Sequence, residues 1–302
     1  MRNQYKRLDI FRCRHESHQG FGNVVSAYHV LKEKGCYPNG CIYFKWKCRK
    51  LDRGLACPKS YAHVGRKCTH CIEYFDEKII KCPELLLSPE DYKLFLKGLR
   101  DFELWLYGKK DKQVDFTGVI KAVKPRFVMS CHNGRSRLSF QGFLLVFKEG
   151  FVDITHFEDT IYAILSPSQQ TRFRLGEDDQ LDLKATLRLD RGRLILDRVH
   201  GVEVEKKGSA KFWTLAEAQQ ALLAGKILDD QYEKCLNCSY GSLVDVQGSE
   251  SLPGGGQKRR NLLCLKGISN PEYCIVQAQE KLHEQEKIHE IDNCQEAGVF
   301  NH

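Results

Sequence analysis

Residues 116–148 read FTGVIKAVKPRFVMSCHNGRSRLSFQGFLLVFK. Two runs rich in β-branched and aromatic residues flank Asn133-Gly134, a dipeptide whose tolerance of positive φ suits a tight hairpin turn. The spacing predicts one strand over 116–128 and a second over 138–148, with Glu149-Gly150 turning into a third over 151–155. Further on, residues 157–165 read as a short apolar helix ended by Ser166-Pro167. Residues 180–189 and 193–205 read as a last hairpin, turned by Asp190-Arg191-Gly192. The predicted order over 115–208 is β-β-β-α-β-β.

The flanks have a different texture, set by cysteine. The chain has 302 residues and 14 cysteines. Eight lie in the first 82 residues: Cys13, Cys36, Cys41, Cys48, Cys57, Cys68, Cys71 and Cys82. Five lie near the end, at Cys235, Cys238, Cys264, Cys274 and Cys294, and Cys131 alone stands between the groups. The first residues are basic but carry no apolar core behind them, so no secretory signal is read and a reducing, cytoplasmic setting is expected. Thiols clustered there hold metal more often than disulfides, because four soft ligands satisfy one cation without an oxidant.

At the C-terminal end, Cys235-Leu-Asn-Cys238 has the spacing that puts two sulfurs on one knuckle. Cys264 and Cys274 follow after a strand, a Pro/Gly turn over 251–256 and a returning strand. A hairpin between cysteine knuckles resembles a zinc ribbon. The second pair is C-x9-C, which leaves Cys294, His283 and His289 as alternative fourth ligands. At the N-terminal end, Cys68-Thr-His-Cys71 is the firm knuckle. With Cys57 and Cys82 it makes a symmetric C-x10-C-x2-C-x10-C, leaving Cys13, Cys36, Cys41 and Cys48 for a second group. Cys57-Pro58 and Cys82-Pro83 also match the cysteine-proline ending of iron–sulfur ligation runs, so zinc and a [4Fe–4S] cluster both remain open. The plain alternative for the C-terminal group is a set of reduced, buried thiols.

Between the cysteine groups, Ser88-Pro89-Glu90-Asp91 supplies a helix cap, a first-turn proline and first-turn acids. Tyr92, Phe95, Leu96, Leu99, Phe102 and Leu106 then follow helical spacing as a core stripe, up to Gly108. A helix is also expected near residues 24–34, and Thr214-Leu-Ala-Glu217 is a capping box opening a helix over 215–223. The tail over 275–290 reads as a polar helix.

The β-β-β-α-β-β order of 115–208 resembles the OB-fold on element order and turns alone. The resemblance implies a β-barrel that binds oligonucleotides or oligosaccharides on its second and third strands and nearby loops. On those positions stand Arg135 and Arg137, then Phe140 and Phe143, with Arg191 and Arg193 in the last hairpin. Guanidiniums pair with phosphates while rings stack on bases, and the plain alternative is that the phenylalanines fill the interior.

The charge is uneven. Residues 1–82 hold 17 Lys and Arg against 7 Asp and Glu, which covers the whole net charge of +8. Bases alternate there with Tyr43, Phe44 and Trp46, a composition suited to phosphate contact. Thiolate sites are themselves anionic, so some of this charge serves to neutralise them. The chain has no apolar run of the roughly 20 residues a membrane span needs. No phosphate-binding loop, nucleophile elbow or zinc-protease motif is present, and a non-enzymatic role is expected.

The sequence therefore predicts an α+β multidomain chain: a cysteine-rich metal module over 1–87, a linking helix over 88–114, an OB-type barrel over 115–208, and a zinc-ribbon-like module with its capping helix over 209–302. The expected activity is metal binding with single-stranded nucleic acid as partner. An iron–sulfur redox or sensor protein, and a scaffold subunit with protein partners, are the alternatives.

Overall fold

A computed structural model of the chain describes residues 1–16, 18, 22–132, 135–209, 211–229, 232–248 and 259–274. It is a mixed α/β structure in which sheet predominates and helices are few. The elements in chain order are β1 Phe11–Arg12, β2 Val24–Val25, β3 Cys41–Cys48, α1 Arg49–Asp52, β4 Tyr74–Lys81, β5 Glu84–Leu85 and α2 Pro89–Lys109. There follow β6 Gln113–His132, β7 Arg135–Val152, β8 Thr155–Phe157, β9 Ile161–Leu165, α3 Pro167–Phe173, β10 Gln180–Asp190 and β11 Arg193–Lys206. The last are α4 Leu215–Ala224, β12 Lys226–Leu228, α5 Glu233–Asn237, β13 Gly241–Gly248 and β14 Arg259–Cys264.

Hydrogen bonds order nine strands as β12-β14-β13-β6-β10-β11-β9-β7-β8, and β6 pairs with β7 as well. β2-β1-β5 form a small three-stranded sheet, and β3 pairs with β4 alone. By compactness the chain divides into two units. One holds Met1–Thr117, Lys148–Tyr162 and Lys184–Asp197, and the other holds Gly118–Phe147, Ala163–Leu183 and Arg198–His302.

In the first unit, α2 starts where its cap dictates. The Ser88 hydroxyl accepts from the Asp91 amide, with Pro89 in the first turn. The helix buries Phe95, Leu99, Phe102 and Leu106, while Leu96 stays exposed and the helix runs one residue past Gly108. Phe102 meets Tyr5 edge-on, at 5.2 Å between ring centroids, and Trp105 stacks on Phe157 at 5.6 Å. The helix expected near 24–34 starts later than read: strand β2 takes Val24–Val25, and residues 27–33 are helical, His29–Glu33 as a π-helix.

The second unit gathers Phe127, Ala221, Val244, Leu263 and Leu265 into one core, with Met129, Leu138, Phe140, Trp213, Leu222 and Tyr240 packed against it. The carboxylate of Asp179, fully buried, accepts from the amides of Gly176 at 2.8 Å and Gly208 at 2.7 Å, and from Lys207 Nζ at 2.6 Å. Those bonds compensate the charge for leaving water. The Thr214–Glu217 capping box forms as read, and α4 ends at Gly225.

Two predicted elements differ. Residues 149–150 do not turn, because β7 continues to Val152. The predicted helix over 157–165 is strand: Ile161 to Leu165 alternate buried and half-buried, the period of two that a sheet imposes. The helix of this region lies one step later. Ser166 caps it and Pro167 opens it, so the pair starts a helix and does not end one. Asn133-Gly134, the 251–256 turn and the 275–290 tail lie outside the described residues.

Candidate functional site

All thirteen described cysteines are free thiols. Twelve of them fall in three neighbourhoods, each within one unit.

The ladder of β3 and β4 organises the first two. Its register pairs Cys41 with Lys81 at one end and Cys48 with Tyr74 at the other. At the first end, Gly40 has φ +89° and stands so close to Cys82 that an added Cβ would lie 2.8 Å from its Sγ. β1 pairs with β5, Arg12 opposite Glu84, so Cys13 leaves β1 at the end where Cys82 and Pro83 lead into β5. The Gly40 amide donates to the Cys36 carbonyl at 2.6 Å. Burial raises the pKa of the Cys36 thiol, and Cys41 and Cys13 raise it further, so all three lie within electrostatic reach.

At the other end, Cys48, Cys57, Cys68 and Cys71 line one cavity of about 80 Å³, with Tyr61, His63 and Tyr74 among its other walls. The Cys71 amide donates to the Cys68 carbonyl at 2.8 Å, closing the knuckle read from the sequence. Backbone amides of Tyr61 and Lys59 hydrogen-bond the Cys57 sulfur and lower its pKa. The symmetric grouping of Cys57, Cys68 and Cys71 with Cys82 is not what the structure presents. Cys48 joins them instead, and Cys82 faces Gly40 at the opposite end. Cys41 and Cys48 are not neighbours either: seven strand steps at roughly 3.3 Å separate them by about 23 Å.

The third neighbourhood is in the second unit. Cys235 lies in α5, Cys238 follows it, and Cys264 ends β14 opposite Gly241. Burial first, then Cys238, Cys274 and Cys264, raise the pKa of the Cys235 thiol, so the four are close together. The Tyr240 amide donates to Cys238 Sγ at 3.4 Å. Lys124, its pKa lowered by burial, donates to the carbonyls of Cys238 at 2.8 Å and Gly241 at 2.9 Å, and to Leu236 at 3.5 Å. Cys294, His283 and His289 lie outside the described residues. Among the described residues, no three His, Cys, Asp or Glu side chains stand close enough together to hold a metal ion.

The arginine and phenylalanine positions divide. Arg135 and Arg137 are exposed on β7. Phe140 is half-buried against Phe127 and Phe143. Phe143 is 0% exposed, so it fills the core and offers no face to a base. Arg193 ion-pairs with Asp190 at 2.8 Å, lies 5.2 Å from the Tyr162 ring centroid, and keeps only 12% of its side chain exposed. It is a packing residue, and Arg191 beside it is half-buried.

Two features stand apart from the cysteine, arginine and phenylalanine positions above. Phe44 and Trp46, two residues apart on β3, lie on one strand face and are 61% and 40% exposed. Their alternation with Lys45 and Lys47 was visible in the sequence, but their exposure was not. A cavity of about 500 Å³ in the second unit is lined by Trp213, Tyr240, Lys211 and Lys266 with Glu177 and Glu217. Lys266 Nζ sits 4.4 Å from the Tyr240 ring centroid.

No protein-family model, no curated protein and no solved structure matches the chain. Among the described residues, no helix is long and apolar enough to cross a membrane.

Proposed function

We propose that the protein is a non-catalytic metal-binding protein that binds single-stranded nucleic acid through its basic cysteine-rich segment and an OB-type barrel. The observation that carries the nucleic-acid reading is the pair Phe44 and Trp46, exposed on one face of β3 within the segment that holds the whole net positive charge. Rings two residues apart along a strand lie roughly 7 Å apart, a spacing on which adjacent unstacked bases can rest. Lys45 and Lys47 alternate with them on the opposite face and pair with Glu16, Asp52 and Glu77, so attraction of phosphate rests on the excess positive charge of the segment as a whole.

Support for the barrel comes from strand pairing. β6, β7, β9, β11 and β10 pair in sequence and return to β6, and α3 falls between β9 and β10. A five-stranded cycle with a helix after its third strand supports the OB-type reading. In the C-terminal segment, β12, β14 and β13 with the Cys235–Cys238 knuckle support the zinc-ribbon reading. Thiolate ligands suit zinc, and closed four-cysteine sites are structural.

A [4Fe–4S] cluster is the second reading for the Cys48, Cys57, Cys68 and Cys71 group alone, favoured by the cavity they enclose and by Cys57-Pro58. Visible charge-transfer absorption in anaerobically purified protein, with iron and sulfide bound, decides for it.

The test of the main reading is titration of fluorescent single-stranded RNA and DNA oligonucleotides with the metal-loaded protein at rising salt. Binding that weakens with salt is expected. Absence of binding at low salt overturns it.

A further inference from the structure

Not one of residues 37–82 is buried, although every one of them is described and the segment holds an eight-residue strand ladder. A lone two-stranded ladder is marginal in water, and no apolar core exists here to hold it. Something other than hydrophobic burial fixes this fold. The eight N-terminal cysteines are the available cross-links, and they fall at the two ends of the ladder.

We infer that the β3–β4 ladder is clamped by two separate four-thiolate metal sites, Cys13, Cys36, Cys41 and Cys82 at one end and Cys48, Cys57, Cys68 and Cys71 at the other. This rests on the metal-binding reading and gives that reading its ligand sets. The strand register does the sorting. Cys41 and Lys81 close one end of the ladder, where Gly40 lies against Cys82; Cys48 and Tyr74 close the other, where Cys48 shares a cavity with Cys68 and Cys71. Cys57 lies on the cavity wall with Cys48, in the loop between the strands. Cys13 arrives through the β1–β5 pairing, and Cys36 through the turn that its carbonyl closes with the Gly40 amide. The eight thiols divide four and four, the number a closed tetrahedral site takes.

The two sites are nested along the chain, since the second set lies wholly between Cys41 and Cys82. A divalent cation such as zinc is the ligand class, and each site releases protons from its thiols as it fills. The side chains are not yet at ligating distance.

The experiment is zinc content per folded chain in full-length double variants. Cys48→Ser with Cys57→Ser removes two ligands of one site, and one ion is lost relative to wild type. Cys57→Ser with Cys82→Ser removes one ligand from each site, and two ions are lost. The reverse result, two ions lost from the first variant and one from the second, overturns the assignment while leaving the metal reading intact. A wild-type protein that takes up no zinc or iron overturns the metal reading itself. Where a variant does not fold, wild-type protein is partially stripped with a chelator and alkylated, and the modified cysteines are mapped by mass spectrometry. Alkylation is expected to appear jointly in Cys13, Cys36, Cys41 and Cys82, or jointly in the other four. Cys82 becoming reactive together with Cys57 overturns the assignment.

Discussion

The Tyr240 amide donates to Cys238 Sγ across 3.4 Å, and the next residue, Gly241, packs on the Cys235 backbone. A Cβ at Gly241 would lie 1.7 Å from the Cys235 carbonyl oxygen, so the knuckle admits no side chain there. Gly241→Ala is expected to destabilise this segment by about 2–4 kcal/mol, through forced movement of the backbone that carries both cysteines. Urea unfolding of the metal-loaded variant measures it. An unchanged midpoint would show that the knuckle is looser than described.

Phe44 and Trp46 are expected to stack on bases. Replacing either with Ala removes about 1–3 kcal/mol of binding, roughly 5- to 150-fold in Kd, while folding is unaffected because neither ring is buried. Oligonucleotide titration checks this. Equal affinity of wild type and the double variant removes β3 from the interface.

Arg193 and Arg135 are expected to part company. Arg193→Ala costs about 1–3 kcal/mol of stability, because it breaks the Asp190 pair and the packing over Tyr162, and it leaves oligonucleotide affinity as it was. Arg135→Ala leaves stability unchanged and lowers the slope of log affinity against log salt by about 0.7. Thermal melts and salt titrations of both variants distinguish the two roles.

Glu217 gives a pH signature. The Thr214 amide, with Lys211 next, pulls its carboxyl down from 4.5 to about 2. A depressed carboxylate pKa stabilises the fold above the unfolded value, and this contribution fades as pH falls from 4.5 toward 2. The stability difference between wild type and Glu217→Gln is therefore expected to shrink across that window. A difference that stays constant would mean that the capping carboxylate does not contribute.

Much of this architecture is legible in the chain. Ser88 and Thr214 announce their helices because capping is local chemistry, and Asp190-Arg191-Gly192 turns with positive φ at Arg191 and Gly192. Residues 157–165 read as a helix in the sequence because a short apolar run fits either period, and only neighbouring strands settle which. The cysteine partition could not be read from spacing. In the proposed grouping Cys48 and Cys82 exchange places, because ladder register and not chain distance sets which end of the ladder each lies at. Trp213, Tyr240 and Lys266 are scattered in sequence, and only the fold brings them around one cavity.

The most direct test is elemental analysis of the full chain, prepared anaerobically with zinc and iron supplied. Three filled thiolate sites per folded chain are expected, with chelation unravelling residues 37–82 first. Protein that holds neither metal, yet keeps amide-exchange protection along the β3–β4 ladder, would contradict the account.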